Sequence, residues 1–298
     1  MFEESWAIVC VHPVNWWWSE QLCLFTAGAW TVFIAVEGMP LNLLIFSFSP
    51  SGDLGKRYNI KHVWAYMLLG QIVAISVASN LFYLALILSD SSAVPSRRNL
   101  SLKKTVSVRL VVSVLLSLVT VALSPFTSLM TFLPNLLLMH ALLFVPLISI
   151  TTSSSSETSP APFSVDLNTL YRIVHFACAG IHTRTVVAAI GSLQTSSKSS
   201  DIFKEAWTTL YSHPAQSSIG WDVIWTSFSF IAWILLRPRY DGSGMLNKFD
   251  GIVVYLMLAT PVASIGVTAT YALESRGDVA EGERRNVSRT DNEKKKIT

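Results

Sequence analysis

The stretch from Leu129 to Ile150, LMTFLPNLLLMHALLFVPLISI, carries no charged residue. About 20 such residues are enough to cross a bilayer as a helix. In lipid only helices and closed barrels satisfy their own backbone groups. This run is too long and too uniformly apolar for a barrel strand, whose faces alternate. Seven mostly apolar segments long enough to cross can be read along the chain, some with isolated polar residues: Leu22–Phe46, Trp64–Leu88, Val106–Leu123, Leu129–Ile150, Leu170–Leu193, Ile219–Leu236 and Gly251–Leu273. The expected fold is therefore all-α, a polytopic membrane protein built as a seven-transmembrane-helix bundle over residues 22–273. Residues 1–21 read as an interfacial segment, because Trp16-Trp17-Trp18 suits the headgroup layer. Residues 274–298 read as a disordered charged tail.

Composition fits a membrane chain. Hydrophobic residues make up 51% and charged residues 14%, where soluble domains carry about 25% charge. The net charge of +3 is small and most of the basic residues flank apolar segments or sit in the tail, so no nucleic-acid surface is expected. Cys10, Cys23 and Cys178 are far apart, with neither a CxxC pair nor a zinc-ligand spacing. The start, MFEESWAIVCVHP, lacks the basic region of a cleavable signal peptide.

The polar segments lie between the spans. SPSGDLGKRYNIKH and SDSSAVPSRRNLSLKK are loops, TTSSSSETSPAP is a low-complexity linker, and Ser124-Pro125-Phe126 makes a tight turn between spans three and four. Under seven crossings, one side carries seven Lys/Arg and the other nine. The positive-inside rule then puts the C-terminus in the cytosol. Asn99-Leu100-Ser101 becomes a lumenal glycosylation sequon, and Asn286-Val287-Ser288 does not. No internal repeat is visible, which counts against an inverted-repeat transporter.

Polar groups inside the spans are the candidate site. Glu37, followed by Gly38 and Pro40, shares a helical face with Trp30, Phe33 and Leu41. An intramembrane acid is costly and usually functional, or else neutralised by a basic neighbour. Asp222 follows the loop His213–Ser218 and shares a face with Trp225, Ser229 and Trp233. It is either a second functional acid or a helix-start acid favoured by the dipole. Arg172, His175, Ala179 and His182 line one face of the fifth span. Arg172 and Arg184 either pair with these acids or snorkel, and Arg172 and His175 are candidate substrate contacts. Most of the 10 Trp, 8 Tyr and 15 Phe belong to packing or the lipid belt. A few, with Trp30 and Trp225 the first candidates, would offer π-faces to a cation. Asn80, Tyr83 and His140 are further candidates to face a cavity, ranked lower because an isolated polar residue in a bundle more often makes an interhelical hydrogen bond.

Glu37 on the first span, the stretch HPAQSSIGWDVIW carrying Asp222, and the seven-span plan together resemble the integral-membrane terpene cyclases of fungal meroterpenoid pathways, of the ascochlorin and ascofuranone type. That family has one catalytic acid on an early helix and one on a late helix, and the resemblance carries these roles to Glu37 and Asp222. It implies proton-initiated cyclisation of a prenyl chain, commonly a terminal epoxide, on an aromatic or polyketide unit. The expected substrate is a lipophilic prenylated small molecule reached through membrane lipids, and the expected location is the endoplasmic reticulum. The Asp-rich metal motifs DDxxD and DxDD of soluble terpene synthases do not occur in the chain, so no metal and no cofactor is expected. A neutral carboxylic acid suits epoxide opening, and burial favours that form. The other classes open to such a chain are a small-molecule or proton-coupled transporter and a non-catalytic membrane adaptor.

Overall fold

A computed structural model describes residues 8–38, 60, 62–90, 105–148, 164–194, 202–236 and 249–275. Asn99, the linker TTSSSSETSPAP and the tail beyond residue 275 lie outside them. The described chain is almost entirely helical, and five helices are long and apolar enough to cross a membrane. These are α1 (Pro13–Gly38), α4 (Val108–Leu123, prolonged by a tight turn at Ser124–Phe126), α5 (Leu129–Ile148), α6 (Leu167–Gln194) and α8 (Pro214–Leu236). Between them lie α2 (Val63–Ile72), α3 (Ile75–Asp90) and α7 (Ile202–Leu210), and after them α9 (Phe249–Ala263) and a last helix, α10, over residues 265–275. Two short strands, β1 (Thr105–Ser107) and β2 (Ser164–Asp166), pair antiparallel and tie the start of α4 to the start of α6.

The expected seven spans are corrected in two places, both by tertiary contacts. Trp64–Leu88 is not one helix but a hairpin. The rings of Tyr66 and Phe82 meet at 5.3 Å, and a Cβ on Gly70 would lie 3.3 Å from Ala78. Residues 16 apart on one straight helix would stand about 24 Å apart. Gly251–Leu273 folds the same way. Tyr255 meets Tyr271 at 4.8 Å, and the hydroxyls of Thr260 and Thr268 bond at 2.8 Å. The second break has a local cause: Pro261 removes a backbone donor near the end of α9, and Ser264 takes φ 72. Neither a proline nor a glycine stands at Val73-Ala74, where the first hairpin turns.

The start of the chain also differs from expectation. Pro13 stands in the first turn of α1, a position that tolerates its missing N–H. The helix therefore begins at Pro13 rather than Leu22. Trp16 and Trp18 are buried against the rest of the bundle in its first turns.

Contacts along α1 orient everything else. Glu20, Leu24 and Gly28 meet His182, Cys178 and Val174 in turn, so α6 runs antiparallel to α1. Trp18 lies beside Gly220, Phe25 touches Phe230 and Phe33 touches Trp233, so α8 runs parallel to it. Close approach needs small residues: a Cβ on Gly266 of α10 would stand 2.9 Å from the Leu24 carbonyl carbon and 2.9 Å from the Phe25 nitrogen. At that point α1 widens into a π-helical turn, Phe25–Trp30. Both hairpins open toward the Gly38 end of the bundle, and their tips stop short of the Pro13 end. The arms of the first, 10 and 16 residues long, span about 15 and 24 Å, whereas a bilayer core is about 30 Å thick.

Candidate functional site

Each hairpin tip frees backbone groups that lipid cannot satisfy, and a long helix supplies the partner in each case. At the first tip, α3 starts with unpaired N–H groups. Asp222 of α8 takes two of them: Ile75 N–H donates to Oδ2 at 3.0 Å and Ser76 N–H to Oδ1 at 2.8 Å. A carboxylate at a helix N-terminus also meets the positive end of the dipole. Ile72 and Val73 at this tip are 72% and 62% exposed, an outward apolar surface that suits lipid. Asp222 is thus a cap supplied from another helix. It is not an acid of its own helix start.

At the second tip the end of α9 leaves the Val262 carbonyl unpaired along the helix, and α6 supplies its donor. His182 lies with Nε2 3.1 Å from the Val262 carbonyl, and His175 with Nδ1 3.1 Å from the Val267 carbonyl and 3.3 Å from the Thr270 hydroxyl. Arg172 pairs with Glu274 of α10 at 2.8 Å. The face shared by Arg172, His175 and His182 is therefore used, against the C-terminal hairpin. Arg172 and Arg184 are bound elsewhere than the expected acids would put them. Arg184 donates to the Ala122 carbonyl at 2.9 Å and stands over the Phe126 ring.

The sequence reading missed Glu20. Its side chain is fully buried; His182 Nδ1 sits 3.1 Å from Oε2, and the Thr185 hydroxyl donates to Oε1 at 2.8 Å. The signal was Pro13: starting the span there puts Glu20 well inside it.

Between α1, α3 and α8 lies a buried aromatic cluster. Trp30 meets Phe82 edge-on at 5.4 Å, Phe33 meets Trp233 at 4.9 Å, and Tyr83 stacks on Trp233 at 5.1 Å and 16°. Glu37 is buried one helical turn beyond Phe33, beside Gly38, which abuts Val63 and Phe82. The cluster brings together Glu37, Trp30 and Trp233. Trp225, by contrast, is 57% exposed and faces outward, away from Trp30. Asn80 donates to the Ser229 hydroxyl at 2.8 Å and ties α3 to α8, while His140 bonds the Leu136 carbonyl of its own helix.

Glu37 and Asp222 are not brought together. Asp222 to Trp233 is about 16 Å along α8, and Glu37 lies a further turn beyond the Phe33–Trp233 contact. The two acids mark opposite ends of the cluster. Among the described residues, no group of three or more His, Cys, Asp or Glu converges as metal ligands would. Compared with protein-family models, curated proteins and solved structures, the chain matches none of them.

Proposed function

We propose that this chain is a membrane-embedded terpene cyclase that starts cyclisation of a prenyl chain, epoxidised at its end, from the carboxyl group of Glu37. The observation that carries the reading is a buried acid at the rim of a cluster of π-faces. A neutral carboxylic acid protonates the epoxide oxygen as its C–O bond opens, and the chain's C=C bonds close rings onto the resulting cation. Loss of a C–H proton to the carboxylate as the last C=C bond forms quenches it, restoring the acid and leaving the substrate's mass unchanged. Aromatic faces attract the cation by roughly 0.5–2 kcal/mol each and exclude water. Trp30, Phe33, Tyr83 and Trp233 supply the faces. Asp222 acts at one remove, because the hairpin it caps carries Phe82 and Tyr83. Its role here is positioning.

A second reading has its own observation. Paired broken helices with polar groups at their turns are a feature of transporter sites, and this bundle has two. Membranes containing the protein, given an epoxidised prenyl-phenol, separate the classes. A cyclase yields a product of unchanged mass and shifted retention. A transporter instead moves the compound across proteoliposomes without altering it, and that result would replace the cyclase reading.

The same bundle suggests a threading of five crossings, with both hairpins entering from the Gly38 end. The connections at the Pro13 end then carry only Lys198 and Lys204. Those at the Gly38 end carry ten Lys/Arg from Lys56 to Lys248, and the part of the tail nearest the last helix adds Arg276, Arg284, Arg285 and Arg289. The seven-crossing count of seven against nine becomes a strong asymmetry, and the positive-inside rule makes the Gly38 end cytosolic. The connection carrying Asn99 runs from Asp90 to Thr105, two ends on that side. The Asn99 sequon is then cytosolic and unglycosylated.

A further inference from the structure

Helix α7 takes no part in the chemistry proposed above, yet it is fastened firmly to the Pro13 end of the bundle. The Trp18 indole N–H donates to the Ala206 carbonyl at 3.0 Å, and the Ser217 hydroxyl donates to the Leu210 carbonyl at 2.7 Å. Leu210 is fully buried and fills the space that a Cβ on Gly220 would need. The opposite face turns outward: Lys204, Glu205, Trp207, Thr208 and, just past the helix, Tyr211 are all exposed. Trp207 and Tyr211 are each more than half exposed, and their rings meet edge-on at 5.6 Å.

A face of this mixed kind suits neither hydrocarbon nor water. Lys204 and Glu205 would be costly in hydrocarbon, and two large rings left in water forfeit the gain of burial. The headgroup layer suits both kinds of group. There an indole or phenol rests its ring on the acyl boundary and keeps its N–H or O–H in the polar layer.

Three further features put a polar boundary at the same height. Along α8 the exposed residues change from Ser218 to Trp221, Trp225 and Phe228, and the change falls at Gly220, where Leu210 docks. Arg184, two residues past His182 toward the Pro13 end, is exposed and stands 5.2 Å over the exposed Phe126 ring. An arginine there reaches a polar layer along its apolar stem. From Trp18, level with α7, to Gly38, α1 rises about 30 Å, the thickness of a bilayer core. At that far end Trp64 is exposed, next to the Val63 that abuts Gly38.

We propose that α7 is a membrane-surface helix: Trp207 and Tyr211, with Lys204, Glu205 and Thr208 around them, bind the phospholipid headgroup layer at the Pro13 end. Leu210 and Trp18 lock α7 to α8 and α1, so this contact sets how deep the two long helices sit. The partner is lipid and not a second protein, because only residues 211–213 separate α7 from α8, whose outward face is the apolar flank of a helix long enough to cross. The role needs an embedded bundle and nothing of the chemistry at Glu37.

The test is spin labelling of the full chain in phosphatidylcholine nanodiscs. A nitroxide is attached to Trp207→Cys, Tyr211→Cys or Phe228→Cys, and wild type, whose three cysteines are buried or half-buried, gives the background. Collisions with oxygen, which concentrates in hydrocarbon, and with a neutral nickel chelate, which stays in water, report depth. Labels at 207 and 211 should meet both probes and lie on the polar side of the hydrocarbon core, within about 7 Å of its edge. The label at 228 should meet oxygen and exclude the chelate. Accessibilities at 207 and 211 equal to those of a label free in water would overturn the proposal. So would a depth equal to that at 228, or shielding from both probes, which a protein partner would produce. Should loss of a ring loosen α7, a label on Thr208→Cys, with both rings kept, carries the same outcomes.

Discussion

Replacing Asp222 by Asn is the sharpest perturbation of the first hairpin. The carboxylate accepts from two adjacent amides, Ile75 at 3.0 Å and Ser76 at 2.8 Å, one on each oxygen. An asparagine keeps one acceptor and turns its NH2 toward the other amide, donor against donor. At an ordinary helix start Asn caps as well as Asp, because only one bond is made there. Here one charge-assisted bond is lost, roughly 1.5–3 kcal/mol, and with it the charge at the helix dipole, about 0.3–1 kcal/mol. The sum is roughly 2–4 kcal/mol. At about 2–4 °C per kcal/mol, the thermal midpoint falls by roughly 5–15 °C. Tryptophan fluorescence in detergent reads it, since Trp30 and Trp233 sit in the cluster the hairpin completes. Asp222→Ala, which loses both bonds, falls further. An unchanged midpoint in Asp222→Asn combined with lost turnover would refute the capping role and give the carboxyl a chemical one.

Gly266→Val tests the α1–α10 crossing: its Cβ would stand 2.6 Å from that of Leu24 and 2.9 Å from backbone atoms, so folded protein recovered by size-exclusion should fall sharply while Gly180→Ala, in open space, is silent. For the threading, a sequon built between Gln194 and Ile202 should be glycosylated in microsomes, and Asn99→Gln should leave wild-type mobility unchanged; a glycosidase-sensitive shift that depends on Asn99 would reverse the orientation.

The helical class, the turn at Ser124–Phe126 and the polar face of Arg172, His175 and His182 were all legible in the sequence, because each is a local pattern. The first hairpin was not. Val73-Ala74 carries no helix breaker, and the groups that satisfy its turn come from Asp222, 146 and 147 residues away from the amides it binds. Hydropathy alone therefore reads two arms as one span. Pro261 did signal the second break, yet a proline inside an apolar run is as compatible with a kink as with a reversal. Glu20 was hidden by the tryptophans before it, which suit an interface and a buried first turn equally well. Glu37 stood out because an acid amid apolar residues has no cheap structural explanation.

Turnover by Glu37→Gln, measured per folded molecule against wild type with an epoxidised prenyl-phenol, addresses the proposed chemistry most directly. Gln keeps the size and hydrogen-bonding capacity of the side chain and removes its acidic proton. A reaction started by that proton should slow about 10²-fold or more, with the thermal midpoint within a few degrees of wild type. A folded Glu37→Gln protein that cyclises at the wild-type rate would contradict it.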